Sequence, residues 1–329
     1  MRVALGQLRE VKKSSLQFAR QLGLKSVQFN NPKLSGDYPW SYKTLKDIKD
    51  RCNDYDLKLE AIENIPHPHM DKIILGLAGR DQEIENYKTV IRNMGKAGIP
   101  ILGFRFFTIY WRTSTVLGRG GIRTAAFEEN LAKNDINLKK QEYMIEDENV
   151  IWDNYRYFMK EVIPVAEKCG VKLALHPDDP PLESVGGIAR IFHNVKSFKK
   201  AMKIADSDIW GLDLCLGSIS EMVKDPDDLI DFIKYFGKYN KIFYVHFRDV
   251  KGKTPNFTEC FLGDGNYNPS EILIELDKAG FDGFLIDDHV PELTNDTVYG
   301  HRARAYTIGY IKGLLNFLDY YKNQTKEIK

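Results

Sequence analysis

Four strand-like runs in the second half of the chain end in side chains able to bind a metal: His176, Cys215, His246 and Asp288. Imidazole, thiolate and carboxylate are the donors that hold a first-row divalent ion, and a barrel of parallel strands gathers its strand ends into one mouth. The apolar run Leu173-Ala174-Leu175 stops at His176-Pro177, and further prolines at 180 and 181 forbid continued pairing. Alternation in Trp210 to Gly217 puts Asp213 and Cys215 on one face, so Asp213 could support the site from deeper down. The same parity aligns Tyr244, His246 and Arg248, while in Gly283 to Pro291 it leaves open whether Asp287 or Asp288 turns inward. Each residue alone has an ordinary reading, as a hydrogen-bonded histidine, a small buried thiol or a turn-forming aspartate. Recurrence at successive strand ends favours a metal site. His67 and His69, after the third strand, could line the same mouth, His67 as a substrate contact rather than a ligand.

The elements that must position these groups alternate between strand and helix patterns. Strand-like runs fall at Val3 to Gln7, Ser26 to Asn30, Leu57 to Ile65, Ile101 to Phe107, Lys172 to His176, Trp210 to Leu216, Ile242 to Asp249 and Gly283 to His289. Amphipathic helical stretches separate them, from Leu16 to Leu22, Leu45 to Cys52, Ile84 to Met94, Asn154 to Ala166, Phe198 to Ile204, Leu229 to Phe236 and Ile272 to Ala279. A last helix runs near Arg304 to Tyr321, and Gly23, Gly98, Gly170 and Gly280 stand where left-handed helix caps are wanted. Eight βα units with right-handed crossovers predict an α/β fold, a (β/α)8 TIM barrel, spanning residues 1–329 as one domain. An open doubly wound sheet is less favoured, because no G-x-G-x-x-G follows the first strand. Residues 108–150 break the rhythm after strand 4 and are expected to form a long insertion at the mouth, acting as a lid.

Composition narrows the function classes. Hydrophobic residues make up 43% and charged residues 28% of 329, enough to bury a large core, with disorder expected only after Tyr321. A net charge of +1 gives no basic field for nucleic acid, and no apolar run approaches the roughly 20 residues of a membrane span. Met1-Arg2-Val3 opens a strand rather than a secretory signal, and Cys52, Cys169, Cys215 and Cys260 show no paired spacing, so a reducing cytoplasm is the expectation.

The strings Leu-His-Pro-Asp-Asp-Pro-Pro at 175–181, Cys-Leu-Gly-Ser at 215–218, Val-His-Phe-Arg-Asp-Val at 245–250 and Asp-His-Val at 288–290 resemble the mannonate dehydratase family, as do residues 80–88 and 91–99. The resemblance covers nearly the whole barrel. It implies a fold similar to the xylose isomerase class, dehydration of D-mannonate to 2-keto-3-deoxy-D-gluconate, and a divalent ion, typically Mn²⁺, with Fe²⁺, Zn²⁺ or Co²⁺ as alternatives. It further implies His176, Cys215, His246 and Asp288 as ligands, His289 and Tyr299 as the catalytic pair, and a dimer or higher homo-oligomer. Arg105, Arg112 and Arg248 would suit the sugar-acid carboxylate, since guanidinium forks fit carboxylates. The chain departs from the family at Tyr110-Trp111-Arg112-Thr113, where members carry Asp-Trp-Thr-Arg, and in a shorter stretch between Asp288 and Tyr299. Two other functions compete: an isomerase or epimerase of the same barrel class, against which Cys215 argues, and a non-catalytic sugar-acid binder.

Overall fold

The computed structural model describes residues 1–34, 36, 38–135 and 143–327. Its centre is a closed ring of parallel strands: β1 (Arg2–Val3 and Leu5–Leu8), β2 (Ser26–Asn30), β3 (Lys58–Glu63), β4 (Ile101–Phe104), β5 (Lys172–Leu175), β6 (Trp210–Cys215), β7 (Ile242–His246) and β8 (Phe284–Ile286). Closure runs through β1, whose first half pairs with β8 through Arg2 and Phe284 and whose second half pairs with β2 through Leu5 and Val27. Helices fill each crossover, so the architecture is the expected α/β TIM barrel.

Strand ladders stop sooner than alternation suggested, and the reason is the mouth itself. β4 ends at Phe104, β7 at His246 and β8 at Ile286, after which the chain turns to deliver polar groups rather than continue pairing. Non-glycine residues take positive φ at four of these exits: Gln7 (57°), Asn31 (41°), Asn64 (59°) and Asp288 (43°). Such backbone is costly for a residue with a Cβ, and it clusters where side chains must be aimed. Register then sets the neighbours, with Cys215 beside His246 across β6 and β7 and Asn30 beside Glu63 across β2 and β3.

Two helices escaped the periodicity argument because they are short: His67–Leu75 and Leu216–Met222. The insertion after β4 is also more regular than its composition implied. Ser114–Leu117 and Arg123–Glu128 form a hairpin, and Arg123–Glu128 pairs antiparallel with Asn256–Cys260, which pairs in turn with Asp249–Lys253. The result is a four-stranded sheet over the mouth, built from two segments more than a hundred residues apart. Its underside packs Phe127, Val250 and Phe257 against Trp111. The long helix Glu148–Cys169, capped by the Asp147 side chain, already begins inside the stretch expected to be lid, and residues 136–142 of that stretch lie outside the described residues.

An aromatic layer locks the barrel to its outer helices. Phe158, wholly buried, meets Tyr87 and Phe104 edge-on at 5.0 and 6.0 Å and stacks on Phe106 at 6.0 Å, while the Trp210 indole donates to the Tyr155 hydroxyl at 2.9 Å. Phe158→Ala would leave a cavity among rings that cannot collapse into it, so unfolding in urea should show a loss of about 3–5 kcal/mol. A loss below about 1 kcal/mol would mean that this layer is not a rigid support.

Candidate metal centre and active site

The barrel brings all four strand-end donors together. Donor atoms of His176, Cys215 and His246 lie within 4.8 Å of one another. The Asp288 Oδ2 sits 3.9 Å from the Cys215 sulfur and 3.5 Å from His246 Nδ1. All four residues are buried. Strand parity left Asp287 and Asp288 undecided, and the turn at positive φ decides it: Asp287 faces away, held by Arg304 Nη1 at 2.7 Å and the Gly6 amide at 3.3 Å.

Electrostatics prepares these donors for a cation. Burial opposes charge on the Cys215 thiol, but the Arg248 guanidinium and hydrogen bonds with His176 and His246 outweigh it and hold the thiol well below its ordinary value. Burial likewise opposes charge on Asp288, yet His289, His246 and Arg248 keep it well below the usual carboxylate range. The two imidazoles respond in the other direction. Against burial, bonding with Cys215 lifts His176 to about 10, and Asp213, Asp288 and Glu63 push His246 well above its ordinary value. The shifts favour imidazolium beside thiolate and carboxylate, and a divalent ion bound by these groups would take the place of those protons.

The surrounding bonds fit that substitution. His176 Nδ1 lies 2.6 Å from the Pro177 carbonyl, which fixes this nitrogen as the donor and leaves Nε2 free to ligate. His246 turns Nε2 toward Asp213 at 3.1 Å and Glu63 at 3.2 Å, the carboxylate backing that orients a metal-binding histidine. Asp213 therefore sits beneath the site, and its own carboxyl is pushed well above the ordinary range by burial, with Glu63 adding to the shift. The contacts of His246 with Asp213 and Glu63 are close ionic approaches rather than well-aligned bonds: among the described residues, both Asp213 oxygens and both His246 nitrogens lack an aligned hydrogen-bond partner. Thiolate, two imidazoles and a carboxylate form a set that suits a divalent transition metal.

Beside this cluster opens a cavity of ≈ 170 Å³. It is lined by the donors His176, His246 and Asp288 together with His67, Arg105, Tyr110 and His289. His289 is anchored by Glu259, whose Oε1 lies 2.8 Å from Nδ1, and its Nε2 is directed to the Asp288 side at 3.8 Å. Burial opposes charge on His289, but Asp288 and Glu259 raise it overall. Tyr299 does not reach the cavity, since its hydroxyl donates to the Gly6 carbonyl at 2.6 Å.

The three arginines occupy different situations. Arg248 is saturated by protein groups, reaching Glu221 and Asp179 at 3.0 Å each and Ser218 at 3.0 Å. Arg112 is similarly bound, to Asp179 at 2.6 Å and Glu259 at 2.9 Å. Arg105 lines the cavity with only long contacts, to the Thr108 carbonyl at 3.4 Å and Asp71 at 3.9 Å, so its donors remain available. Burial lowers Arg105 to about 10, still cationic at neutral pH, and burial together with Arg105 and Arg9 lowers His67 to about 4, leaving it neutral. His69 points elsewhere, bonded to Glu83 and stacked on Tyr38 at 4.1 Å.

Sequence reasoning overlooked the first half of the barrel. Gln7 donates to Asp288 Oδ1 at 2.8 Å, Asn30 to Gln7 Oε1 at 2.6 Å, and Asn64 to Asn30 Oδ1 at 3.1 Å. This amide relay along the ends of β1, β2 and β3 pins the carboxylate opposite the arginine side. The signal was present as a polar residue closing each of these strands, although amides are poor ligands and drew no attention. Asp179, Glu221 and Glu259 had no such signal, because each acts only through an arginine or histidine distant in sequence.

Replacing Cys215 by Ser should weaken divalent-cation binding by at least about a hundredfold, the upper end of what the loss of an orienting partner costs, because an alcohol is a poor anionic ligand. Titration of apo-protein against a chelating indicator measures this. Unchanged affinity would remove Cys215 from the set.

Comparisons with known proteins agree with this geometry. The D-mannonate dehydratase (UxuA) family model matches residues 5–140 and 124–325. A mannonate dehydratase of Geobacillus thermodenitrificans is 31% identical, over 85% of this chain and 84% of its own, and one of Thermotoga maritima is 29% identical over 87% and 88%. The crystal structure of mannonate dehydratase from Streptococcus suis serotype 2 superposes with a TM-score of 0.83 at 27% identity, covering 95% of this chain and 94% of that one. D-psicose 3-epimerase from Clostridium cellulolyticum H10 shares the fold alone, at 15% identity and a TM-score of 0.61. A family model spanning nearly the entire barrel, together with a cysteine-containing donor set at its mouth, establishes that the chain belongs to the mannonate dehydratase family.

Proposed function

We propose that this chain is a hydro-lyase that converts D-mannonate to 2-keto-3-deoxy-D-gluconate and water. The observation that carries the reading is one cavity lined both by the His176, His246 and Asp288 donors and by the anchored His289 and by Arg105. Family membership supports the same reaction over the epimerase alternative.

The substrate's C2 proton is weakly acidic, because removing it adds charge beside a carboxylate that is already anionic. A divalent ion bound by His176, Cys215, His246 and Asp288 would supply Lewis-acid stabilisation of that charge. Mn²⁺ follows the family resemblance, while the thiolate and imidazoles also suit Fe²⁺, Zn²⁺ or Co²⁺. Arg105 and neutral His67, which line the same cavity, would bind substrate oxygens, the first as a charged donor and the second through a ring nitrogen. Arg112 and Arg248 would act indirectly, by holding Asp179 and Glu259 in their ionised forms, while burial outweighs Arg248 at Glu221 and pushes that carboxyl up to about 8. His289 is the base in this reading. Glu259 fixes its Nδ1–H, so that Nε2 presents a lone pair to the cavity. The sheet over the mouth would serve as the lid, since it carries Glu259 and is tied to the loop after β8 by the Arg123 and Glu292 backbones. No described helix is long and apolar enough to cross a membrane. Four free cysteines support a reducing cytoplasm as its compartment.

Metal-loaded protein incubated with a panel of aldonates should release a 2-keto-3-deoxy acid from D-mannonate. Epimerised sugar, or binding without turnover, would replace this reading with one of its rivals. His289→Asn should keep its metal and slow turnover by about a hundredfold or more. Equal rates in variant and parent would exclude His289. A base must be neutral, so log(kcat/KM) should rise through the His289 pKa as pH increases. Glu259→Gln removes a charge that raises that pKa, and the acidic limb should therefore move to lower pH while the plateau falls. A limb that stays in place would show that a different group titrates.

A further inference from the structure

Loss of water from C2 and C3 needs two proton-handling groups, and His289 supplies one. Tyr299 is turned away: besides its bond to the Gly6 carbonyl, its ring lies 4.3 Å from the Arg304 guanidinium, outside the cavity. A different phenol stands in the cavity wall. Tyr110 meets the His289 ring edge-on at 5.9 Å between centroids, and among the described residues its hydroxyl has no hydrogen-bond partner.

Burial keeps the Tyr110 phenol protonated, raising it well above its ordinary value, and Arg112 is the neighbour that opposes this shift most. The Arg112 guanidinium lies 4.9 Å from its ring centroid, a cation placed to stabilise the phenolate left after the proton is given up. Arg112 is itself immobilised by Asp179 and Glu259. Glu259 Oε1 thus holds Arg112 Nη2 at 2.9 Å and His289 Nδ1 at 2.8 Å, so one carboxylate oxygen sets the positions of the base and of the cation over the phenol. A phenol with an ordinary pKa of about 10 is protonated at neutral pH, which is the form an acid requires.

We propose that Tyr110, rather than Tyr299, is the acid that protonates the departing C3 hydroxyl. The inference rests on the dehydration reading above. His289 takes the C2 proton and leaves its electron pair at C2, delocalised into the carboxylate; that pair then forms the C2–C3 double bond as the C3–O bond breaks. The hydroxyl leaves as water with the Tyr110 proton. The enol takes a proton at C3 and gives one up from oxygen to become the ketone, while imidazolium returns its proton to solvent and phenolate recovers one. Only water is lost, and no oxidant or reductant is involved.

The test compares Tyr110→Phe and Tyr299→Phe in metal-loaded protein, with D-mannonate in D2O followed by NMR. Tyr110→Phe should lose turnover by about a hundredfold or more with KM little changed, yet still exchange deuterium into C2 of recovered substrate, because abstraction survives and departure fails. Tyr299→Phe should turn over near the parent rate. Near-parental turnover in Tyr110→Phe, loss of C2 exchange together with turnover in that variant, or collapse of turnover in Tyr299→Phe would each overturn the assignment. Parent protein that fails to dehydrate D-mannonate would instead sink the underlying reading and this inference with it, so the two failures are distinct.

Discussion

Arg248 is the constraint on which the mouth of this barrel depends. Arg248 is 2% exposed and borders acidic groups on several sides: the Cys215 thiolate, Asp179, Asp288 with its Oδ2 3.0 Å from Nε, and Glu221, whose carboxyl burial pushes up to about 8. Removing one partner from such a buried ionic cluster leaves the others uncompensated, at a cost of several kcal/mol. Arg248 leads the groups that hold Cys215 as an anion and joins His289 and His246 in doing so for Asp288, so two anionic donors are preorganised inside an apolar barrel. Without it, burial would favour the neutral thiol and neutral acid, which bind metals poorly.

That cluster extends upward through shared partners. Asp179 accepts from both Arg248 and Arg112, Arg112 also reaches Glu259, and Glu259 anchors His289. Barrel floor, ligand layer and overlying sheet are therefore joined by one chain of charge-assisted bonds. The hairpins that supply Arg112 and Glu259 belong to different loops, and their pairing across Phe127 and Phe257 gives the network its geometry. A rigid barrel supplies the candidate metal donors, while the two long loops supply the groups that would move protons. This division suits a fold whose chemistry varies by its loops.

The barrel and its four donors were legible in the sequence because each rests on a local signal. Alternation marks a strand, a proline or charged turn marks its end, and parallel closure brings the ends together. His176, Cys215 and His246 could be read this way, and Asp288 could be placed only as one of two neighbours, since its positive φ reverses the facing that alternation implies. The overlying sheet was illegible for a physical reason. Strands of four to six residues interrupted by Gly118, Gly120 and Gly121 acquire their regularity from a partner hairpin more than a hundred residues away, and no local periodicity records that pairing. Arg112 and Arg248 carried the right chemistry, and their occupation by Asp179, Glu221 and Glu259 emerged only in three dimensions. Tyr299 illustrates a complementary limit: similarity of sequence placed the residue near the site, and a bond to the Gly6 carbonyl turns its hydroxyl elsewhere.

Metal K-edge X-ray absorption on the loaded protein would address most directly whether these separated side chains share one ion. The expected spectrum contains a single sulfur scatterer among nitrogen and oxygen neighbours, with imidazole multiple-scattering features from His176 and His246, and the sulfur disappears in a Cys215→Ser sample. A first shell of oxygen alone, or a sulfur signal that persists in that variant, would contradict a centre formed by His176, Cys215, His246 and Asp288.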